Sequence, residues 1–156
     1  DRILTRLQEV DRALFCESCP LAFHHAYAIA YCAAGDTSLK IHRDDSDITL
    51  NILLGASVDL AGSDLMLCRP TPEEERPGTP DLESMQTGDR VSLYSHSQAG
   101  RCIVHPGDRW HGVTPLLEGS RSNLIFLAMR NDEDWKGDVY PHMLSSLADK
   151  AAQLMN

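Results

Sequence analysis

The chain has 156 residues, 42% hydrophobic and 24% charged, with a net charge of −9. That is enough sequence for one packed domain and too ordinary a composition for a disordered tail. The acidic balance argues against a protein that binds nucleic acid through its phosphates, which takes clustered Lys and Arg, and no apolar run approaches the ~18 residues of a membrane span.

Residues 2–15 place Ile3, Leu7, Val10 and Leu14 at helical spacing and predict an amphipathic helix. The cysteines Cys16, Cys19, Cys32, Cys68 and Cys102 are odd in number and scattered, so they do not read as a disulfide framework. Cys16-x-x-Cys19 lacks a second pair to complete four zinc ligands and reads as ordinary thiols. Phe23–Cys32 predicts a strand, Gly35-Asp36 a turn, Leu39–Asp44 a short extended piece, and Thr49–Leu54 a strand ended by Gly55. Asp64–Cys68 predicts another strand. Residues 69–89, rich in Pro, Glu and Gly, predict a solvated surface excursion that reaches on to about residue 99. Val91–Tyr94, Arg101–His105 and Ser122–Met129 predict further strands, and residues 141–155 a second amphipathic helix. Short strands with turn signals between terminal helices predict a sandwich or barrel. The first residue, Asp1, predicts a chain trimmed at its N-terminus, so the sequence carries no reading of its compartment.

"IHRDDSDITLNILLG", residues 41–55, sets a histidine and three aspartates against an apolar run. In extended chain, residues i and i+2 share a face, so His42 and Asp44 project together while Arg43 points away. An imidazole beside a carboxylate is half of a metal site. "HPGDRWHGV", residues 105–113, offers His105 or His111 for the other half. Two histidines and one carboxylate with open positions form the facial triad of non-haem Fe(II) oxygenases. Arg121, ten residues after His111, opens the last strand at a distance that suggests a return beside the histidine. Its guanidinium suits a two-pronged pair with a carboxylate. Asp45 and Asp47 read as solvated, His105 as a hydrogen-bonding residue of an HPG turn, and His96, at the end of the excursion, as a surface histidine by default, with a substrate contact the alternative. Trp110 and Trp135 read as packing groups, and His142 as a helix-start residue.

His42-x-Asp44, then His111, then Arg121 resembles the Fe(II)/2-oxoglutarate-dependent dioxygenases, and within them the prolyl and lysyl hydroxylase group. Tyr31 stands eleven residues before His42, and Ser46, Thr49, Asn51 and Leu54 fall on the lysyl-hydroxylase pattern H-x-D-x-S-x-x-T-x-N-x-x-L. "GRCIVHPGDRWHGVTPLLEGSRSNLIF" resembles the closing half. Together these segments cover roughly residues 23–130. "DLAGSDL", residues 59–65, departs from the group's acidic-aromatic-x-Gly-Gly turn: Leu60 replaces the aromatic and Ser63 the second Gly. Leu53 stands where prolyl hydroxylases commonly carry a Tyr that helps hold the cosubstrate; lysyl-type members also lack it.

The resemblance implies a mainly β, double-stranded β-helix (jelly-roll) core flanked by the terminal helices, all in one domain over residues 1–156. It implies that His42, Asp44 and His111 ligate Fe(II) and that Arg121 anchors the C5 carboxylate of 2-oxoglutarate. Tyr31 and Asn51 would line the cosubstrate pocket; Asn123, on Arg121's face, is a lesser candidate. The implied reaction consumes O2 and 2-oxoglutarate, with ascorbate in support, releases succinate and CO2, and hydroxylates a Pro or Lys side chain of a protein or peptide. A small-molecule or nucleic-acid-directed oxygenase of the same fold, or a cupin-like domain that holds metal without turnover, are the competing readings. Oligomeric state is not legible.

Overall fold

The computed structural model describes residues 2–15, 20–69, 90–96 and 98–130. The predicted helix over 141–155, Cys16, Cys19, Trp135, His142 and most of the excursion lie outside the described residues. The chain order is α1 (Arg2–Leu14), β1 (Phe23–Cys32), β2 (Leu39–His42), β3 (Ile48–Ala56), β4 (Ala61–Gly62), β5 (Leu65–Cys68), β6 (Val91–Tyr94), β7 (Cys102–Pro106), β8 (His111–Val113), β9 (Leu116–Glu118) and β10 (Ser120–Met129). All pairings are antiparallel. One four-stranded sheet has the order β1-β10-β3-β7 and another β2-β8-β5-β6, with a two-stranded ribbon β4-β9 beside them. No helix among the described residues is long and apolar enough to cross a membrane.

Alternation along β3 and β10 sorts side chains between two destinations. Ile48, Leu50, Phe126 and Ala128 pack with Leu7 and Leu21, so this face of the first sheet carries the helix. Thr49, Asn51 and Leu53 of β3 and Arg121 and Asn123 of β10 take the alternate positions and are buried as well. Both faces are therefore covered, which is why "ITLNILL" lacks a clean polar–apolar alternation. Strand β3 runs through Gly55 to Ala56 rather than stopping at the glycine, because Ser122 and Arg121 of β10 continue the pairing past a register shift.

The helix seats a different face from the predicted one. Leu4 and Leu7 pack on the sheet, while Ile3 is 38% and Leu14 65% exposed. The same face buries a charge, Asp11, which is fully inaccessible. Its two oxygens accept from Arg130 Nη1 and Nη2 at 2.7 and 2.9 Å, and Arg130 Nε lies 3.4 Å from Asp47 Oδ1. Asp47 is thus part of an ion-pair cluster, not merely solvated, and also accepts the Arg130 main-chain N–H at 2.8 Å. Only Asp45 keeps the exposure expected of it. Removing one member of a buried pair strands the other. Asp11→Ala should cost about 3 kcal/mol, a fall in Tm of roughly 10 °C, measured by thermal unfolding.

Candidate metal centre and anion pocket

His42 ends β2 and His111 opens β8; the two strands pair directly, with His42 opposite His111. Between the Leu39↔Val113 and His42↔His111 pairs the register shifts, so three steps on β2 match two on β8. Such a bulge rotates the side chains that follow it. It brings His42 onto the face of Leu39, which with His42 and His111 lines one cavity. Asp44 follows in the connection to β3. Its main-chain N–H donates to Gly107 O at 2.9 Å, and Gly107 N–H donates to Asp47 O at 3.1 Å. Gly107 is required by close approach: a Cβ there would meet Ser46 O at 2.0 Å. The HPG segment is therefore the clamp that holds the aspartate's loop in place.

His42 Nε2 lies 3.5 Å from Asp44 Oδ1, and His111 Nε2 lies 3.4 Å from Asp44 Oδ2. The three ligand atoms fall within 4.8 Å of one another. Each imidazole donates from Nδ1 to a main-chain carbonyl at 2.8 Å, His42 to Lys40 and His111 to Arg109. Those bonds leave both Nε2 lone pairs facing the carboxylate, the tautomer a metal ligand needs. Three electron-pair donors that converge this closely fit a divalent ion, whose ~2.1 Å bonds set ligand atoms roughly 3 Å apart. Thr49 Oγ1 donates to Asp44 Oδ2 and lies 3.1 Å from Ser46 Oγ. Burial would raise the Asp44 carboxyl, but in metal-free protein a protonated His42, whose Nε2 then donates to it, together with the charge of a protonated His111 and the Thr49 bond, outweighs burial and holds the carboxyl below its ordinary value.

His105 does not sit in a turn. It lies in β7, 2% exposed, with its ring 4.5 Å from that of His111. It makes the expected hydrogen bond, Nδ1 to Pro106 O at 2.8 Å, and it is not one of the three grouped ligands. Its Nε2 is buried with no hydrogen-bond partner among the described residues. Arg43 stacks on Trp110 with Cζ 4.8 Å from the ring centroid, and Trp110 packs against the Ile41, Met66 and Cys68 cluster, as a packing group should.

Arg121 does not return beside His111. It opens β10 in the facing sheet, with β9 and the ribbon taking up the intervening residues. The side chain is 3% exposed. Its Nε donates to Ser63 Oγ at 2.8 Å, Nη1 to Asn123 Oδ1 at 2.8 Å and to His96 Nδ1 at 3.0 Å, and Cζ lies 4.8 Å from the Tyr31 ring centroid. Nη2 is buried with no hydrogen-bond partner among the described residues. Arg121 makes no ion pair among the described residues; Asp64 acts on it from farther off. Asn123 Nδ2 donates in turn to Asn51 Oδ1 at 2.6 Å. Tyr31 and Asn51 line the cavity of His42, Asp44 and His111. Burial pushes the Tyr31 phenol up to about 12, so it stays protonated and a donor.

Two residues of this cluster were not expected. Ser63 holds φ 57°, a left-handed conformation rare outside glycine. The replacement of glycine in "DLAGSDL" thus concerns more than a turn: it gives the arginine an acceptor. His96 is 9% exposed rather than a surface residue. Burial, reinforced by the Arg121 charge, pushes its imidazole down to about 4, and burial likewise takes His111 to about 4 and lowers His105. Burial lowers His42 too, but its bonds to Asp44 and the Lys40 carbonyl prevail and raise it. A histidine whose folded value lies below the unfolded 6.5 leaves the unfolded chain to take up the proton first as pH falls. Its stabilising contribution is complete above about pH 6.5 and is lost toward pH 4. His25, which burial also lowers, makes four such groups against the single raised one. Metal-free protein should therefore melt at a lower temperature at pH 5 than at pH 7; an equal or higher Tm at pH 5 would contradict the assigned environments.

Two antiparallel sheets carrying a His-Asp-His cluster and a buried arginine define a mainly β protein of the facial-triad metal type. No family model matches the chain. It is 31% identical over 121 residues to the 2-oxoglutarate and iron-dependent oxygenase domain-containing protein ICU11 of Arabidopsis thaliana, covering 76% of this chain and 28% of that protein. It is 26% identical over 109 residues to the 2-oxoglutarate and iron-dependent oxygenase domain-containing protein 2 of Xenopus tropicalis, covering 70% of this chain and 27% of that protein. The chain thus spans little more than a quarter of the length of these relatives. The crystal structure of an oxidoreductase of the 2OG-Fe(II) oxygenase family from Burkholderia pseudomallei matches with a TM-score of 0.55 at 16% identity, over 81% of this chain and 51% of that one. The chain is a relative of the 2-oxoglutarate and iron-dependent oxygenases in sequence and has their jelly-roll fold.

Proposed function

We propose that the chain is an Fe(II)- and 2-oxoglutarate-dependent dioxygenase domain, one domain over residues 1–156 with its core at about 23–130, that hydroxylates a Pro or Lys side chain of a protein or peptide and releases succinate and CO2. The observation that carries the oxygenase reading is the pairing of two unsatisfied groups. A His-Asp-His cluster offers three converging lone pairs. The buried Arg121 guanidinium, with Nη2 unpartnered, offers a positive charge with no carboxylate against it among the described residues. A buried cation without an anion is costly. A dicarboxylate that reaches from the metal to Arg121 answers both needs.

In this reading His42, Asp44 and His111 hold the iron. Bound there, the iron would supply the redox chemistry that divides O2 between two products: one oxygen atom goes to 2-oxoglutarate as it loses CO2 and becomes succinate, and the other enters a substrate C–H bond. The protein's part is orientation. Arg121 holds the distal carboxylate, Thr49 and the two imidazoles fix the Asp44 carboxylate, and Tyr31 and Asn51 wall the cosubstrate side of the cavity. The relatives' names carry 2-oxoglutarate and iron, which supports the cofactors but not the prime substrate. The acidic net charge favours a peptide over a nucleic acid. The test is succinate release from 2-oxoglutarate with Fe(II), ascorbate and air, followed by mass analysis of Pro- and Lys-bearing peptides. Succinate with an added oxygen on a peptide supports both parts. Succinate with every peptide unmodified would overturn the substrate class alone, and no succinate from iron-loaded protein given such peptides would overturn the activity.

A further inference from the structure

We propose that His96 is a positioning residue for Arg121: it holds one amino group of the guanidinium so that the other, Nη2, is presented to the distal carboxylate of the cosubstrate. This inference rests on the 2-oxoglutarate reading above and goes beyond it to a residue that enters from the connection between β6 and β7, 25 positions before the arginine.

The argument is one of donors and acceptors. A guanidinium carries five N–H donors and no acceptor. In this structure Nε–H goes to Ser63 Oγ, and the two hydrogens of Nη1 go to Asn123 Oδ1 and His96 Nδ1. Because the arginine only donates, His96 Nδ1 must be the acceptor, and the ring's single hydrogen is left to Nε2. The ring also hydrogen-bonds the main chain of Asn51. Asn123 Nδ2, also only a donor, lies 3.2 Å from Nε2; a neutral ring cannot accept at both nitrogens, so the nearer contact from Arg121 Nη1 takes the acceptor role, while Asn123 Nδ2 has Asn51 Oδ1 at 2.6 Å. His96 is thereby fixed neutral and in one tautomer. A neutral acceptor uses up a hydrogen of Nη1 without cancelling the charge. Ser63 and Asn123 do the same from the other directions. All three partners are uncharged, so no ion pair among the described residues cancels the positive charge, and against those residues only Nη2 has hydrogens left to give. A carboxylate in place of His96 would have neutralised the site, and an apolar side chain would have left Nη1 free to turn away.

The test uses two substitutions that differ in the acceptor. In His96→Asn the amide oxygen replaces Nδ1; in His96→Leu it is lost at similar bulk. The readout is the Kd of 2-oxoglutarate by calorimetry on Mn(II)-loaded protein under nitrogen, with Tm and Mn(II) affinity measured on the same samples. The expected result is about tenfold weaker cosubstrate binding for Leu, the size of one hydrogen bond to a charged group. Asn should bind within about twofold of wild type, with Mn(II) affinity the same in all three. Equal binding by all three, or equal losses in Leu and Asn that follow their Tm, would overturn the positioning role and leave the oxygenase reading standing. No binding of 2-oxoglutarate by the wild type would overturn both.

Discussion

His111→Ala is expected to abolish metal binding and succinate release together, with metal affinity falling by more than about 100-fold. Partners that merely orient a ligand are already worth roughly 10–100-fold, so a ligand itself is worth more. The geometry makes the loss specific. Asp44 Oδ2 faces His111 Nε2 at 3.4 Å, and the remaining pair, His42 with Asp44, is a two-donor site one of whose members is a third exposed. The control is the neighbouring histidine. His105→Ala should keep metal binding, because His105 stands outside the ligand group, although loss of a buried ring will cost stability. Metal titration of the two variants, each shown to be folded, decides the matter. The reverse pattern, in which His105→Ala loses the metal and His111→Ala keeps it, would sink the ligand assignment.

The contrast between those histidines shows what sequence can and cannot carry. Spacing along an extended segment is local, so His42 and Asp44 could be paired from the i, i+2 rule, although β2 ends at His42 and Asp44 stands in the connection after it; the period-2 runs located most of the strands. The bulge that turns His42 onto its face was not legible, because nothing in "LKIH" marks a register shift that β8 imposes from 70 residues away. Arg121 was singled out as a guanidinium suited to a carboxylate, and the fold buries it, but by a path other than the expected one: it returns in the opposite sheet, not beside His111. His96 and Ser63 were missed for the same reason. A lone histidine after a short strand has surface exposure as its ordinary fate, and it is partners distant in sequence, Asn51 on β3 and Arg121 and Asn123 on β10, that meet this one. The one available signal for Ser63 was its departure from a glycine pattern, and a departure shows where to look without saying what was gained. Asp11 and Asp47 make the same point away from the site. Their partner, Arg130, lies 119 and 83 residues on, beyond the reach of any local pattern.

Arg121→Ala should raise the 2-oxoglutarate requirement by more than about 100-fold while leaving metal affinity nearly unchanged. Truncating one partner of a buried charge pair costs about 2–5 kcal/mol, and 3 kcal/mol is already over 100-fold. The separation follows from topology: the arginine belongs to the β1-β10-β3-β7 sheet, and His42 and His111 belong to β2-β8-β5-β6. Removing the guanidinium strands three acceptors, Ser63 Oγ, Asn123 Oδ1 and His96 Nδ1, but it also relieves a buried cation that has no ion-pair partner among the described residues. These effects oppose one another, so the fold should survive with only a modest change in Tm. Arg121→Lys sharpens the comparison. It keeps the charge but cannot reach Ser63, Asn123, His96 and a ligand at once, since an ammonium has three donors and no fixed fork. Its cosubstrate requirement should lie between wild type and alanine. An Ala variant that saturates with 2-oxoglutarate as readily as wild type would show that the distal carboxylate binds elsewhere, and the orphaned Nη2 would then need a different anion.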